Sequence, residues 1–411
     1  MKFDTVVLGG GIVGVSTGIH LLKHGRSVAI VDRKAPGNET SLGNAGLIQR
    51  EGVYPYAFPR DAATLMRYAR NDSPHVRYHR NAIRHVAPFL ARYWYHSEQG
   101  RHKAIARSYA TLIAHCVTEH RALSGAAGAD HLIRPGGWIK VFRSAAYQDQ
   151  ELRDVAQWQR EYGVTYEALD AAALRAMEPS LSHRLLGGVR YTGSEAVSDP
   201  KSLLDAYLAY FKQLGGEVIV GDAASLTEGW QMSTSQGTVQ AASVVVALGP
   251  WSTTLVKKFG YAIPFGLKRG YHMHYAAQAG AQLGHPVLDG ENGYMLAPML
   301  RGIRLTTGAE LARDDAPSTP VQVEVTERSA RETFPLGERL DADPWLGRRP
   351  CTTDMMPIIG PSKHVGLWFA FGHAHHGLTL GPVTGRLIAE MMTGKTPFVD
   401  PAPFHVRRFV G

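Results

Sequence analysis

Cysteine is nearly missing from this chain of 411 residues: Cys116 and Cys351 are its only two. Two thiols so far apart cannot build a disulfide framework, and their spacing matches no metal cluster, so no metal is expected. The histidines are scattered and include no H-E-x-x-H pair. Long apolar runs are missing too; no stretch approaches the roughly 18 residues of a membrane span. The short run Thr5–Leu8 is no signal sequence, and a reducing, cytoplasmic setting is expected. Internal repeats and low-complexity tracts are not found. Acidic residues are in the minority, 36 against 44 Lys and Arg, for a net charge of +8. The segment 60–121 holds 11 Lys/Arg against 4 Asp/Glu, nearly the whole excess. Its apolar residues recur at helical spacing, as in Ile83, Val86, Ala87 and Leu90. Such a segment suits a solvated helix face or a peripheral contact with anionic lipid. No nucleic-acid recognition motif accompanies the charge, and no nucleic-acid partner is expected.

What the chain has is glycine at informative places. Residues 4–32 read as a strand, a glycine turn, an amphipathic helix, a second strand and an acid. Gly9, Gly11 and Gly14 fit G-x-G-x-x-G, and Asp32 follows about 20 residues later, where a ribose hydroxyl needs an acceptor. Gly9 permits the tight turn, Gly11 lets backbone approach a pyrophosphate, and Gly14 lets helix pack on strand. Ile12 and Val13 then open a helix whose free amides and positive dipole end face the phosphates, and Arg33 stands beside Asp32. A second buried strand, Ser243–Val246, runs on to Gly249-Pro-Trp251-Ser. Near the end, Gly372-His373 precedes Gly377, Leu378 and Thr379 at the start of another long helix. A helix start there stabilises the charge that a reduced isoalloxazine gathers at N1 and O2. Nicotinamide enzymes need no such second helix, which favours FAD over NAD.

Between these landmarks the periodicity predicts helices over 62–125, broken near Pro74, Pro88 and Gly100, and again over 145–178. Asp199-Pro200 is a good helix start, with Asp199 as N-cap. Residues 261–331 alternate like antiparallel strands. Strands that return late to the opening sheet imply a domain interrupted in sequence.

Taken together these residues resemble the D-amino acid oxidase superfamily of flavoproteins, most of all its bacterial D-amino acid dehydrogenase branch. The likeness spans the whole chain. It includes Glu39-Thr-Ser-Leu-Gly-Asn-Ala-Gly46, similar to that branch's Glu-Thr-Ser-x-x-Asn-Ala-Gly, as well as Gly249-Pro-Trp-Ser and Arg349-Pro-x-Thr-x-Asp. The resemblance implies an α/β (α+β) fold. A Rossmann-like FAD-binding domain would comprise 1–75, 186–256 and 345–411. A substrate domain of antiparallel sheet plus helices would comprise 76–185 and 257–344. It implies non-covalent FAD, with Ser41, Asn44, Ala45, Gly46 and Leu47 added to the cofactor residues.

It further implies transfer of a hydride from the Cα of a D-amino acid to flavin N5. The imine would hydrolyse to a keto acid, and a quinone or another carrier would take the electrons. The same motifs also suit an oxidase or dehydrogenase of glycine, sarcosine, hydroxyproline or an opine, or an electron-transfer subunit. Arg349 is expected to clamp the substrate carboxylate, with a planar, permanently charged fork suited to that task. Tyr294 and Arg269 are expected to assist it, and Tyr54 and Tyr56 to lie in a loop over the substrate. His373 is expected to hydrogen-bond on the flavin side, and Asp354 to orient a loop. The sequence departs from the family at Cys351, where Met is usual, and at Thr353, where Pro is usual. It departs again at Gly-His-Ala-His375-His376-Gly, which adds two imidazoles near the flavin. A cysteine at 351 raises covalent flavin attachment as an alternative to a buried, inert thiol. Oligomeric state is not legible.

Overall fold

The computed structural model describes residues 1–409. Its first sheet is built on the opening strand, Lys2–Leu8, whose valines and leucine are wholly buried. Strands covered on both faces read as continuous β-branched runs, as here and in Val28–Asp32 and Gly237–Val246. The order is Glu217–Val220, Val28–Asp32, Lys2–Leu8, Gly237–Val246, Leu367–Phe371, Ile358–Pro361. All but the last run parallel. The chain winds away on both sides of Lys2–Leu8, so a switch point lies at that strand's carboxyl end, where such sheets bind ligands.

Helices Ile12–Lys23, Pro200–Gln213 and Gly377–Met392 cover one face of this sheet. The Asp199 side chain caps the second of them by accepting from the Lys201 and Ser202 amides. The first and last helices touch almost backbone to backbone. A Cβ on Gly381 would lie 2.9 Å from Ile12, and one on Gly385 would lie 2.6 Å from the Ser16 carbonyl carbon. Both helices begin at the carboxyl end of the sheet.

The second sheet is centred on the long strand Phe265–Ala277, which pairs antiparallel with four others. It continues through Gly302–Thr307, Tyr294–Met299 and Val287–Asp289 to Trp138–Phe142, Gly187–Tyr191 and Glu167–Asp170. A short three-stranded sheet of Leu47–Ile48, Glu195–Val197 and Ile133–Arg134 ties the two together.

Several boundaries differ from expectation. Trp345–Thr352 was assigned to the FAD-binding domain, but it pairs with Phe265–Ala277 in the second sheet. Gly187–Tyr191 likewise pairs with Trp138–Phe142 there. Conversely, helices Gln99–Ile113 and Cys116–Ala126, assigned to the substrate domain, pack on the C-terminal helix. Segments 145–178 and 261–331 are also mixed. Glu167–Asp170 is a strand within the first, and Val321–Thr333 is a helix ending the second. Pro88 does not break its helix: it lies inside Ile83–His96. The misassigned strand Trp345–Thr352 and the two helices on the C-terminal helix find their partners far away in sequence, which local periodicity does not encode.

Candidate active site

A cavity of about 1070 Å³ lies between the sheets, at the carboxyl end of the opening strand. It is larger than most drug-sized ligand pockets, which span roughly 300–1,000 Å³.

At one end stands the glycine turn. Gly9 has φ +108°, and a Cβ there would lie 2.5 Å from the Ala247 carbonyl oxygen. A Cβ on Gly14 would lie 1.9 Å from the Gly9 carbonyl oxygen. Gly11 differs: its φ is −77°, and the nearest obstacle to a Cβ is Ser41 Oγ at 3.2 Å. Its open side is the cavity. The Asp32 carboxylate accepts from the Gly10 amide at 2.7 Å and the Lys34 amide at 3.2 Å. It therefore braces the turn as well as lining the cavity. Ser41 Oγ accepts from the Ile12 amide at 3.1 Å. The Arg33 guanidinium sits 4.2 Å from the Trp251 ring, and Glu39 pairs with Arg33 and Lys34 at 3.4 and 2.8 Å. Ile12, Val13, Arg33, Ser41, Gly249 and Trp251 all meet on this wall.

The middle of the wall is the Asn44-Ala45-Gly46 loop. Asn44 Oδ1 accepts from the Gly46 amide at 2.8 Å, closing a tight turn in which Gly46 has φ +76°. Arg304, buried in the second sheet, donates to the carbonyls of Leu42 and Asn44 at 3.0 and 2.6 Å. Burial pulls Arg304 down to about 10, which leaves it charged at neutral pH. Ala45 and Leu47 line the cavity. Gly14, Gly46, Gly372 and Thr379, expected at the cofactor, lie behind the wall instead. Thr379 Oγ1 donates to the Leu47 carbonyl and accepts from the Gln49 amide, pinning the C-terminal helix to this loop.

That helix starts at the cavity, with Gly377 and Leu378 on its wall. Three histidines precede it. His373 Nε2 and Thr384 Oγ1 are 2.9 Å apart, and His376 Nδ1 and the Tyr109 hydroxyl are 2.7 Å apart. The His375 ring packs 4.5 Å from Tyr56. Burial pushes His373 down to about 3, His376 to about 4, and His375 well below its ordinary value. All three are neutral near pH 7.

Positive charge comes from elsewhere. The Arg349 guanidinium donates to the carbonyls of Gly308 at 2.9 Å, Thr307 at 3.1 Å and Arg269 at 3.3 Å. It lies flat on Gly270, where a Cβ would come within 2.4 Å of it. Lys268 is its cross-strand neighbour. The Lys268 ammonium stands 4.0 Å from the Tyr93 ring centroid, and burial pulls it down to about 8. Among the described residues no carboxylate lies within 4 Å of either cation, and both line the cavity.

Two expected substrate residues are placed differently. Arg269 points to the other side of its strand, pairs with Glu310 at 2.8 Å and donates to the carbonyls of Ala316 and Pro317. Successive strand residues face opposite ways, so Lys268 and Gly270 face the cavity and Arg269 cannot. Tyr294 contributes to the wall, but its hydroxyl turns away to Thr333 and Asp289 at 2.6 and 3.1 Å. Asp289 is held there by Arg143. Tyr54 is on the wall, stacked 6.0 Å from Trp158, and Tyr56 is half exposed within the cavity. Asp354 pairs with Arg408 at 2.7 Å and accepts from the Met356 amide, shaping a loop. The residues missed in sequence are Lys268, Arg304 and Glu51. Strand alternation around Gly270 was the available signal for the first.

Cys351 is wholly buried among Phe89, Tyr93 and Met355, and burial pushes its thiol up. It does not line the cavity. Acid precipitation of the holoprotein should therefore release the flavin into the supernatant. Yellow colour kept in the washed pellet would establish a covalent link.

The wall fits a flavin dinucleotide. Two helix starts leave amides for a ligand. A glycine with room on its cavity side permits a pyrophosphate, and an acid ends the second strand. Gly11, Ile12, Val13, Asp32 and Arg33 would hold the dinucleotide end. Ala45, Leu47, Gly377 and Leu378 would hold the ring.

Comparison with known proteins agrees. Residues 4–391 match the family described as FAD dependent oxidoreductase. The chain is 31% identical to the D-amino acid dehydrogenase of Cereibacter sphaeroides, over 98% of this chain and 95% of that one. It is 31% identical to that of Granulibacter bethesdensis, over 99% of each. Glycine oxidase from Geobacillus kaustophilus shares the fold, with a TM-score of 0.73 at 24% identity over 100% of both chains. The chain belongs to this family of FAD-dependent oxidoreductases.

Proposed function

We propose that this member of the FAD-dependent oxidoreductase family oxidises the CH–NH bond of a D-amino acid and passes the electrons to a quinone or similar carrier. The single observation that carries the reading is the seat formed by Arg349 and Lys268. Two cations without carboxylate partners, facing a cavity that fits a flavin, match a small carboxylate. The D-configuration is inferred from the relatives' names.

When bound, FAD supplies the two-electron acceptor. The chain's part is position and field. The Arg349 fork, fixed by three carbonyls, takes the carboxylate in two parallel bonds, and Lys268 adds charge beside it. Anchoring one end of the substrate would fix where its Cα lies against the wall that would hold the flavin, as a near-attack geometry requires. His373, neutral and engaged with Thr384, supports the flavin side. With FAD bound as the two-electron acceptor, the amine's lone pair would form the imine as the Cα hydride passed to it, so the chain need supply no strong base. The resulting imine takes up water and gives a 2-keto acid and ammonia.

Anaerobic mixing of the holoenzyme with a panel of D- and L-amino acids tests the reading. D-isomers should bleach the flavin and their L-partners should not. Bleaching by L-isomers alone would reverse the assignment, and bleaching by no amino acid would remove it. Admitting oxygen then separates a dehydrogenase, which stays reduced, from an oxidase. No described helix is long and apolar enough to cross a membrane. Exposed Met66, Trp94 and Tyr95 flank Arg60 and Arg101, whose guanidiniums lie 3.8 Å from the Trp94 and Tyr95 rings. This basic, aromatic surface supports a peripheral lipid contact close to a membrane-borne acceptor.

A further inference from the structure

The cavity that holds the Arg349 seat has a further stretch of wall that the chemistry above does not use. This stretch carries Glu51, Trp138, Lys140, Tyr147 and Tyr191. Trp138 and Tyr191 pack with ring centroids 4.7 Å apart. Glu151 stands behind them and has a counter-charge. It pairs with Lys140 at 2.5 Å and accepts from the Tyr191 hydroxyl at 2.7 Å.

Glu51 is the exception. It is 4% exposed, and it accepts from Gln49 Nε2 at 2.9 Å and from the Ser194 hydroxyl. Among the described residues no lysine or arginine pairs with it. Burial is the main force on its carboxyl and raises its pKa, while Ser194, Gln49 and the nearby Trp138 indole oppose that. Trp138, 3% exposed, brings its Nε1 near Glu51 but outside hydrogen-bond geometry, and that N–H has no partner. Tyr56 lines the same cavity. Its phenol is raised by burial, raised further by Glu51 and Glu151, and lowered by Arg349. Arg349 and Glu51 therefore both lie within electrostatic reach of one hydroxyl.

A buried carboxyl without a counter-charge is costly. Lys140 is matched by Glu151, which leaves Glu51 as a carboxyl on this wall with no ion-pair partner among the described residues. Aromatic faces add to this, because their π clouds attract cations. Arg349 and Glu51 line one cavity, which puts a carboxylate seat and an unpaired carboxyl before the same ligand. We infer that the enzyme's preferred substrates carry an ammonium or guanidinium at the end of the side chain, with Glu51 as its counter-ion. This rests on the amino acid reading above and narrows it to a class of substrate.

D-norleucine has the four-carbon side chain of D-lysine without the terminal ammonium. For the wild-type holoenzyme, kcat/KM for D-lysine and for D-arginine should exceed that for D-norleucine at least tenfold. In Glu51→Gln the lysine-to-norleucine ratio should fall at least tenfold. Flavin absorbance checks that the variant is folded and loaded, and if it is not, the wild-type ratio decides alone. A wild-type ratio near one, with D-norleucine still bleaching the flavin, overturns this inference and leaves the amino acid reading standing. An unchanged ratio in a loaded Glu51→Gln also overturns it. Failure of every amino acid to bleach the flavin overturns both.

Discussion

Replacing Arg349 by alanine should raise the Michaelis constant for the amino acid by roughly 30-fold to several thousand-fold. The guanidinium is fixed by the carbonyls of Gly308, Thr307 and Arg269 and lies flat on Gly270. Its position does not depend on substrate, so little entropy is lost when a carboxylate arrives. Removing it leaves that carboxylate in a buried site with Lys268 alone, and stranding one member of a buried charged pair costs about 2–5 kcal/mol. At about 1.4 kcal/mol per factor of ten, this gives the range stated. Arg349→Lys should fall between, since an ammonium keeps the charge and loses the fork. Steady-state kinetics on preparations matched for flavin content provide the check. A Michaelis constant within a few-fold of wild type in Arg349→Ala would move the carboxylate seat elsewhere.

Gly11→Val should yield a folded, colourless protein. Gly11 sits at φ −77° and ψ 178°, where any residue is at ease, and a Cβ would approach only Ser41 Oγ, at 3.2 Å. The chain itself accepts the substitution. The valine methyls instead enter the space that a pyrophosphate needs at the start of the helix. Gly14→Ala makes the contrast, because its Cβ would be forced to 1.9 Å from the Gly9 carbonyl oxygen. That variant should lose stability as well as FAD. Flavin absorbance and thermal unfolding, read together, separate the two. A fully loaded, yellow Gly11→Val would place the pyrophosphate somewhere other than this turn.

The cofactor half of the site was legible because each of its motifs is local. A tight turn, a helix start and a strand-ending acid are set by neighbours in sequence, and Gly9, Gly11 and Asp32 occupy the positions the spacing implies. The substrate half was not, because strand facing and long-range partners decide it. Arg269 and Lys268 differ by one residue in sequence and face opposite sides of the sheet. Tyr294 lost its expected role to Thr333, whose helix, Val321–Thr333, was read as strand. Trp345–Thr352 carries Arg349, and only its pairing with Phe265–Ala277 reveals which sheet it joins. The glycine contacts at Gly381 and Gly385 were hidden for the same reason, their partners being some 370 residues away in the chain.

Those two contacts have a consequence for how a cofactor is held. Helices pressed together at Gly381 on Ile12 and Gly385 on Ser16 cannot slide past each other without a steric collision. Their starts act as the jaws of a caliper with a fixed gap. A flavin lying across both starts would therefore meet a rigid frame rather than two movable ends.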